Sequence, residues 1–339
     1  MKYKNIYVLT PFNYCTGGVE LAHQLVSRLR DFGENAYIVY ANPPKGISVN
    51  QEITPNYAKY NIKTTNIIED DRCNFLVIPE IYFEYAGIYK KIIIGCWWMS
   101  VDNRYKRACF KDKFLFLNSF YARFKFVCSY LKRKLKGDYV YTNSNWILFS
   151  EDDRIIHLYQ SHYAQYHLYS KGVCRLAPLS DYINTELLGD SLRERENIVL
   201  YNPAKGKAFT EKIIRSLPDI RFIPLKGLSR KELQELLGKS KLYIDFGHFP
   251  GKDRLPREAV VNGCCIITGK NGASYFYEDV PIGSRYKFDT KNSNIPQIAE
   301  CIEYVLNNYD KCKVDFDDYR KIVLAEEETF YKEIDELFC

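Results

Sequence analysis

The sequence predicts an α/β protein of two domains, and three observations lead to this prediction. Short runs of β-forming residues alternate with stretches of helical periodicity along most of the chain, as in parallel sheets joined by crossover helices. The 339 residues are enough for two domains of ordinary size. Hydrophobic residues make up 46% of the chain and charged residues 27%, which is typical of a globular protein with buried cores.

The first half of the chain begins with a β-α-β unit. A β-rich run at 5–11 is followed by a TGG sequence, and an apolar stripe predicts a helix from Val19 to about Phe32 before the next strand at 36–41. This order is the start of a parallel sheet with right-handed crossovers. Further strands are predicted at 75–79, 92–97, 139–142, 155–159 and 173–177.

The pattern restarts after a charged segment at 189–196, which we interpret as a linker. We therefore predict two Rossmann-like domains, 1–187 and 188–314, that face each other across a cleft. A C-terminal segment, 315–339, is expected to form one long helix at about 318–337 that packs back on the first domain. The elements predicted for the second domain are strands at 198–201 and 221–225 and helices at 208–217 and 231–238.

The stretch 241–270 organises the second domain, because it reads as strand, loop, helix and strand. In an open parallel sheet, the loop and helix N-terminus of such a unit lie at the carboxyl edge, where ligands bind. The loop carries Lys252 and Arg254, which suit phosphates beside a helix N-terminus, and Glu258 one turn later suits a polyol such as ribose. These residues alone leave two interpretations open: a site for a nucleotide-like ligand, and a solvated charge cluster that pairs with itself.

One segment, 104–136, interrupts the sheet rhythm with a concentration of positive charge. It contains eleven Lys or Arg, a single acid (Asp112) and six phenylalanines, so its net charge is near +10 while the whole chain carries +6. Basic residues among bulky apolar ones can bind an anionic membrane surface or nucleic acid, or can form ordinary helices with solvated lysines. We predict an anionic membrane surface as the partner and no nucleic acid, because no nucleic-acid motif accompanies the charge.

The remaining composition indicates a reducing compartment. Eleven scattered cysteines without a CxxC pair favour buried, reduced thiols, and no apolar run reaches the length of a bilayer span. No apolar signal region precedes the first strand, so we expect a cytoplasmic protein, peripheral on the inner face of the cell membrane. No GxGxxG follows the first strand, which argues against a nicotinamide enzyme.

Four short motifs stand at the loops and strand ends of the predicted sheets. They are TGGVE at 16–20, NPAKG at 202–206, LKGLSRKEL at 225–233 and LPREAVVNGCCIIT at 255–268. In these motifs the chain resembles the retaining GT-B glycosyltransferases, a large bacterial family that uses nucleotide sugars to build lipopolysaccharide, capsule and other surface glycans.

The resemblance implies a role for residues of each motif. Gly17 and Gly18 would bring backbone amides to the donor phosphates or to the acceptor. Lys205 would bind the donor diphosphate, the backbone at Gly227 would meet the base, and Glu258 would hold the ribose hydroxyls.

Three features of the family pattern are absent. Pro250 stands where the family has a first glutamate, and Asn202 stands roughly where an arginine precedes the lysine. We expect Asn202 to contact the donor and Arg254 or Lys252 to supply the missing charge. The family's histidine in the first domain also has no counterpart. Candidates for the residue that contacts the sugar there are Trp98 and Asp102.

The resemblance therefore implies transfer of a sugar from a nucleotide diphosphate sugar to a glycan or lipid-linked acceptor, with retention of anomeric configuration and without a required metal or other cofactor. Lys205 and Arg254 would be the catalytic residues, because preplaced cations neutralise the departing diphosphate in a water-excluded site. The absent features keep an alternative open: a catalytically silent GT-B-like module that binds a glycan or a partner protein.

We also considered the histidines and a DFD sequence as possible sites. His157, His162 and His167 lack metal-ligand spacing, so structural roles are predicted for them. His23, one turn into the first helix, is a candidate to face the cleft. The DFD at 315–317 is predicted to cap a helix rather than to bind a metal.

Overall fold

A computed structural model describes residues 2–41, 49–107, 114, 117, 119–135, 152–183 and 194–339. The predicted strand at 139–142 lies outside these residues, as do most of the predicted linker and parts of the basic segment 104–136. The described residues form two compact units. The domain boundaries near 187 and 314 stay predictions. Unit 1 comprises Met1–Gln160, Ala164–Leu179 and Lys332–Cys339, and unit 2 comprises Ser161–Tyr163 and Ser180–Tyr331.

Within its described residues, unit 1 contains a seven-stranded sheet in the order β3-β2-β1-β4-β5-β6-β7. All neighbours are parallel except the short edge strand β3, which pairs antiparallel with β2. Successive parallel strands are what the β-α-β opening predicted. The strands are β1 Asn5–Pro11, β2 Ala36–Ala41, β3 Val49–Asn50, β4 Asn74–Pro79, β5 Ile93–Trp98, β6 Ile155–Tyr159 and β7 Leu176–Pro178.

The helices of unit 1 include α1, Gly17–Asp31, which begins in the TGG sequence and buries its predicted apolar stripe. Side chains of the two neighbouring strands cover Gly95 of β5, since a Cβ there would be 2.7 Å from the Phe75 ring and 2.8 Å from the Leu158 side chain. The strand predicted at 173–177 begins later, at Leu176, and Gly172 with a φ of +79° lies in the turn that follows the preceding helix. The other helices are α2 Val101–Arg107, α3 Phe120–Leu135 and α4 His162–Ser170, whose first two residues belong to unit 2.

Unit 2 contains a five-stranded parallel sheet in the order β12-β11-β10-β8-β9, counted over the part of the chain that the structure describes. Its strands are β8 Glu196–Tyr201, β9 Arg221–Pro224, β10 Ser240–Asp245, β11 Cys265–Gly269 and β12 Lys287–Phe288. Its helices are α5 Lys207–Ser216, α6 Arg230–Lys239, α7 Arg254–Val261, α8 Ile295–Asn307, α9 Tyr309–Cys312, α10 Asp317–Leu324 and α11 Glu326–Phe338, which continues into unit 1. The strand, loop, helix and strand order of 241–270 is confirmed.

The single long C-terminal helix was a wrong prediction, because the helix breaks at Ala325 into α10 and α11. No glycine or proline signals this break in the sequence. It lies directly before Glu326, whose buried carboxylate contacts Arg257 and Lys252. Across the described residues, no helix combines the length and apolar character needed to cross a membrane.

Candidate functional site

Two loops at the carboxyl edge of the unit 2 sheet meet through a pair of glycines. Gly206 has a φ of +66°, and a Cβ there would lie 2.6 Å from the backbone nitrogen of Gly247. The loop after β8 therefore contacts the loop after β10 backbone to backbone. A side chain on Gly247 would in turn collide with the stem of Lys205. These two positions need glycine so that Lys205 can lie across the strand ends.

Lys205 is the central cation of this edge. Its ammonium contacts the Asp253 carboxylate, lies 4.0 Å from Asp245 and donates to the carbonyl oxygen of His248 at 3.4 Å. It also lies 4.3 Å from the centre of the Phe249 ring. Burial lowers the pKa of Lys205, and the nearby Asp245 opposes this shift. Lys205, which we predict to bind the donor diphosphate, therefore lies where several groups of this sheet edge meet. Its positive charge is already paired with carboxylates of the chain.

Asp245 ends strand β10 and holds the surrounding groups in place. Its carboxylate accepts hydrogen bonds from the Tyr243 hydroxyl at 2.9 Å, the Gly247 amide at 2.8 Å and the Asn202 amide at 3.4 Å. Burial raises the pKa of Asp245, and Lys205 and these donors oppose the rise. Asn202, a predicted donor ligand, therefore belongs to the same cluster as Lys205. Sequence reasoning missed Asp245, although an acid at the end of an apolar strand was a usable signal.

Asp253 occupies the N-cap position of α7 but makes no capping hydrogen bond with its side chain. Aspartate at this position ordinarily accepts from the helix's own first amides. Here its carboxylate contacts Lys205 instead. Arg254 and the half-buried Glu258 follow on the first two turns of the helix. Burial, then Asp245 and then Glu258 raise the pKa of Tyr243. The structure thus brings Asn202, Lys205 and the start of α7 to one sheet edge.

Lys252 and Arg257 pair with a different set of carboxylates in unit 2. Arg257 is fully buried and donates to Asp181 at 2.6 Å and to Glu326 at 2.8 Å, while Lys252 lies 2.8 Å from Glu326. The two carboxylates raise the pKa of Arg257 against the effect of its burial. Arg257 also donates to the carbonyl oxygens of Lys252 and Asp253, so it fixes the loop that precedes α7. Lys252 lies in this structural network, whereas we expected it to face the donor.

Gly227 lies in the turn after β9, next to β8 in the same sheet. Its φ is +67°, and a Cβ would meet nothing within 4 Å, so the backbone there is open. The turn leads into α6, whose start is fixed by a reciprocal pair of bonds between Ser229 and Glu232. An open backbone at a strand end is what contact with a planar base requires.

In unit 1 the glycine-rich loop meets the loop after β5. Gly17 begins α1, and a Cβ on Gly18 would lie 3.3 Å from the Met99 sulfur. Glu80, which follows β4, accepts the Met99 amide at 3.2 Å, and its burial raises its pKa to about 8. Asp102 is half-buried at the start of α2. Sequence reasoning missed Glu80, because only the pairing of β4 with β5 places it under that loop.

Trp98 and His23 are wrong candidates for ligand contact. The Trp98 side chain is fully buried, and its indole donates to His157 at 2.8 Å. His23 is also fully buried, between the Val19 carbonyl at 2.7 Å and the Tyr40 hydroxyl at 2.6 Å. Both positions follow from packing that local sequence patterns do not reveal.

The other histidines have structural partners. His167 contacts the Tyr105 hydroxyl at 2.8 Å, and burial lowers the pKa of both His157 and His167 to about 4. Asp279 accepts the backbone amides of His162 and Tyr163 at 2.8 and 2.9 Å and so caps α4. Its hydrogen bond raises the pKa of His162.

The DFD prediction was wrong in detail. Phe316, not an aspartate, occupies the N-cap position of α10, and Asp315 instead contacts Arg285 and the Tyr286 hydroxyl. Within the described ranges, no group of three or more His, Cys, Asp or Glu side chains is placed to hold a metal ion.

Solved structures identify the fold. HepE from Anabaena, in complex with UDP and glucose, superposes with a TM-score of 0.60 at 10% identity, covering 98% of this chain and 99% of that one. The chain has the GT-B fold. WaaG, a glycosyltransferase involved in lipopolysaccharide biosynthesis, shares this GT-B fold with a TM-score of 0.55 at 11% identity, covering 98% of both chains.

A GT-B protein of Staphylococcus aureus is longer than this chain. A TarM variant in complex with fondaparinux, α-GlcNAc-glycerol and UDP has a TM-score of 0.53 at 13% identity, over 80% of this chain and 56% of that one. The chain therefore spans little more than half the length of TarM. No protein-family model and no curated protein sequence matches the chain.

Proposed function

We propose that this protein is a glycosyltransferase that moves a sugar from a nucleotide diphosphate sugar to a glycan or lipid-linked acceptor in the synthesis of a bacterial surface glycan. The observation that carries the proposal is the position of Lys205 where the loops after β8 and β10 meet, beside the start of α7. Neighbours of the same fold bind UDP and glucose or act in lipopolysaccharide biosynthesis, which supports this substrate class.

Lys205 would neutralise the diphosphate as it departs. Its ammonium is paired with Asp253, so a bound diphosphate would replace one anion by another at a partly buried cation. Charge that develops on a leaving group is felt most strongly where water is excluded, and preplaced cations need no reorganisation there. Arg254, on the first turn of α7, would add the second positive charge.

The other predicted donor ligands suit the remaining parts of the nucleotide. Glu258 would accept the ribose hydroxyls, the open backbone at Gly227 would meet the base, and Asn202 would contact the donor next to Lys205. Gly17 and Gly18 would serve the acceptor or the phosphates with backbone amides in unit 1. Retention of anomeric configuration and independence of metal remain part of the proposal on the strength of the motif resemblance.

The test uses the purified full chain with a panel of nucleotide sugars, with and without EDTA. We expect turnover of at least one sugar nucleotide, and Lys205→Ala should lower kcat by about 100- to 1,000-fold. Lys207→Ala is the matched control, because Lys207 is an exposed lysine two residues away that pairs only with the exposed Glu211 among the contacts described. NMR of the product reports the anomeric configuration. Wild-type kcat in the Lys205 variant would exclude this role.

A silent GT-B-like binding module is the second candidate. It is favoured by the pairing of Lys205 with Asp253 and of Lys252 with Glu326, because both cations already have partners within the chain. Thermal shift separates the two functions, because a ligand bound only by the folded state raises Tm. A glycosyltransferase should be stabilised by at least one nucleoside diphosphate at millimolar concentration. A silent module should bind glycans without any nucleotide-dependent change in Tm.

We further propose that helix α3, Phe120–Leu135, binds an anionic membrane surface. Its sequence carries five cations and no acid. Three of its apolar side chains are largely in solvent: Phe120 at 87% exposure, Phe124 at 60% and Leu135 at 89%. Phenylalanines that fill a core would not be exposed to this extent, so charge and apolar surface together suit a lipid interface.

Vesicle co-sedimentation tests the membrane proposal. Wild type should bind phosphatidylglycerol vesicles at low salt and lose much of that binding at high salt, since the Debye length is about 8 Å at physiological salt. Neutralising Lys132, Arg133, Lys134 and Lys136 should abolish the binding. A control that neutralises four exposed lysines of unit 2 should retain it. These lysines are Lys270, Lys291, Lys311 and Lys321. Failure of the wild type to bind at low salt would favour a soluble acceptor.

A further inference from the structure

A cavity of about 360 Å³ opens on unit 2 in a part of the chain that the proposed donor site does not use. None of its lining residues belongs to the loops after β8 and β10 or to α7. Its volume falls near the lower end of the range for ligand pockets, about 300 to 1,000 Å³, so it suits a small ligand. The lining residues are Tyr277, Pro281, Gly283, Ser284, Arg285, Tyr286, Asp315 and Asp318.

The polar wall of the cavity is preorganised. Arg285 donates to the Tyr286 hydroxyl at 2.7 Å and contacts Asp315, and the Tyr286 hydroxyl donates to Asp315 at 2.6 Å. Tyr286 itself is buried at 1% exposure and anchors this group to the fold. The Arg285 side chain remains 57% exposed and that of Asp315 34%, so their outer edges can still bind a ligand. Little conformational freedom would be lost on binding.

Two further residues of the lining supply apolar surface, Tyr277 and Pro281. Tyr277 is 61% exposed, although large aromatic side chains are usually buried. An exposed aromatic ring at a cavity offers a flat surface for C–H groups, while its hydroxyl remains in water. The cavity therefore combines one flat apolar face with planar hydrogen-bonding groups.

The charge of the lining narrows the ligand class. Arg285 is paired with Asp315, and Asp318 is paired with Lys321 at 3.2 Å, so the charges of the lining are balanced within the chain and do not favour a phosphate or a nucleotide. The arginine likewise opposes a metal cation. A purely apolar ligand would leave the charged groups without hydrogen bonds. A neutral polyol with an apolar face satisfies both parts of the lining, because a guanidinium and a carboxylate can each hold two adjacent hydroxyls.

We propose that this cavity is a carbohydrate subsite that binds a neutral sugar unit of a glycan chain. The subsite is separate from the proposed donor site, so its occupancy does not depend on the transfer reaction. Sugar bound there would hold a longer glycan on unit 2 independently of turnover.

Saturation-transfer NMR with the full chain tests the subsite, using maltotriose and tri-N-acetylchitotriose as probes. We expect a signal from at least one probe with the wild type and an unchanged signal with Lys205→Ala. Tyr277→Ala and Arg285→Lys should each reduce that signal at least threefold. Tyr275→Ala is the matched control, because Tyr275 is equally exposed, at 67%, but does not line the cavity.

Circular dichroism melting shows whether each variant is folded. Both substitutions are at exposed side chains, so a change in Tm of only a few degrees is expected. Absence of signal from both trisaccharides, or a signal that Tyr277→Ala leaves unchanged, would overturn the subsite. Either outcome leaves the nucleotide-sugar turnover test untouched.

Discussion

Four buried titratable groups of unit 1 are held neutral, whereas two buried or partly buried cations of unit 2, Arg257 and Lys205, are paired with carboxylates. In unit 1, burial lowers the pKa of His23, His157 and His167 to about 4 and raises that of Glu80 to about 8, so all four are mostly uncharged at pH 7. Their hydrogen bonds go to neutral partners such as the Tyr40 hydroxyl. Desolvation decides the protonation state wherever no strong opposite charge is near.

In unit 2 the same cost of burial is offset by paired charge. Arg257 is enclosed by Asp181 and Glu326, and Lys205 lies between Asp245 and Asp253. Partners of opposite sign favour the ionised forms. The difference shows how one α/β architecture supplies two environments. In the first environment burial removes the charge of the group, and in the second environment partners of opposite sign keep it.

The largest expected effect comes from breaking the buried ion pairs of unit 2. Arg257→Met should lower the free energy of unfolding by about 3 to 5 kcal/mol, because Asp181 would stay buried without its ion-pair partner and Glu326 would keep only Lys252. Urea denaturation measures this loss. Lys313→Met, which removes an exposed pair with Asp310, should cost at most about 1 kcal/mol. Equal stability of the two variants would contradict the comparison.

A second change probes the proposed ribose contact in unit 2. Glu258→Gln should weaken binding of a nucleoside diphosphate by about 1 to 3 kcal/mol, which is the range for losing a charge-assisted hydrogen bond. Isothermal titration calorimetry with UDP and ADP measures it. Glu211→Gln, at an exposed position on α5, is the control and should bind as wild type does. Unchanged affinity in the Glu258 variant would remove Glu258 from the donor site.

The buried, neutral Glu80 of unit 1 predicts that the stability of the fold depends on pH. The folded-state pKa of Glu80 is about 8, above its ordinary value of 4.5, so the folded chain retains a proton that the unfolded chain releases. Stability should therefore fall by about 3 kcal/mol from this group as pH rises from about 5.5 to 8. Glu80→Gln stays neutral and should lack this part of the fall. Parallel denaturation curves at pH 5.5 and 8 compare the two proteins, and identical pH slopes would refute the assignment.

The smallest expected effect concerns Asp253, whose carboxylate pairs with the Lys205 ammonium. Asp253→Asn should tighten nucleoside diphosphate binding by roughly fivefold, about 1 kcal/mol, because the incoming phosphates no longer compete with that charge. Asparagine caps helices as well as aspartate does, so α7 should remain intact. Calorimetry compares this variant with Asp219→Asn, an exposed control. Weaker binding would mean that Asp253 itself contacts the nucleotide.

Much of the fold could be predicted from the sequence, because its evidence is local. Apolar β-rich runs gave the strands at 5–11, 36–41 and 155–159 with the observed bounds, and the glycine and proline positions marked the loops. Parallel β/α units place successive loops at one sheet edge, so Asn202, Lys205 and the start of α7 could be expected together. Helix α8 and the break at Ala325 were not predicted.

Only the tertiary structure decided which charges are paired. Arg257 and Asp181 are 76 positions apart, and Lys205 and Asp253 are 48 apart. Nothing in the spacing of either pair indicates that they meet. The same holds for the buried state of His23 and Trp98, which depends on neighbours from other strands. Local periodicity reports which face of an element is apolar, whereas burial and ion pairing depend on contacts between elements that chain spacing does not encode.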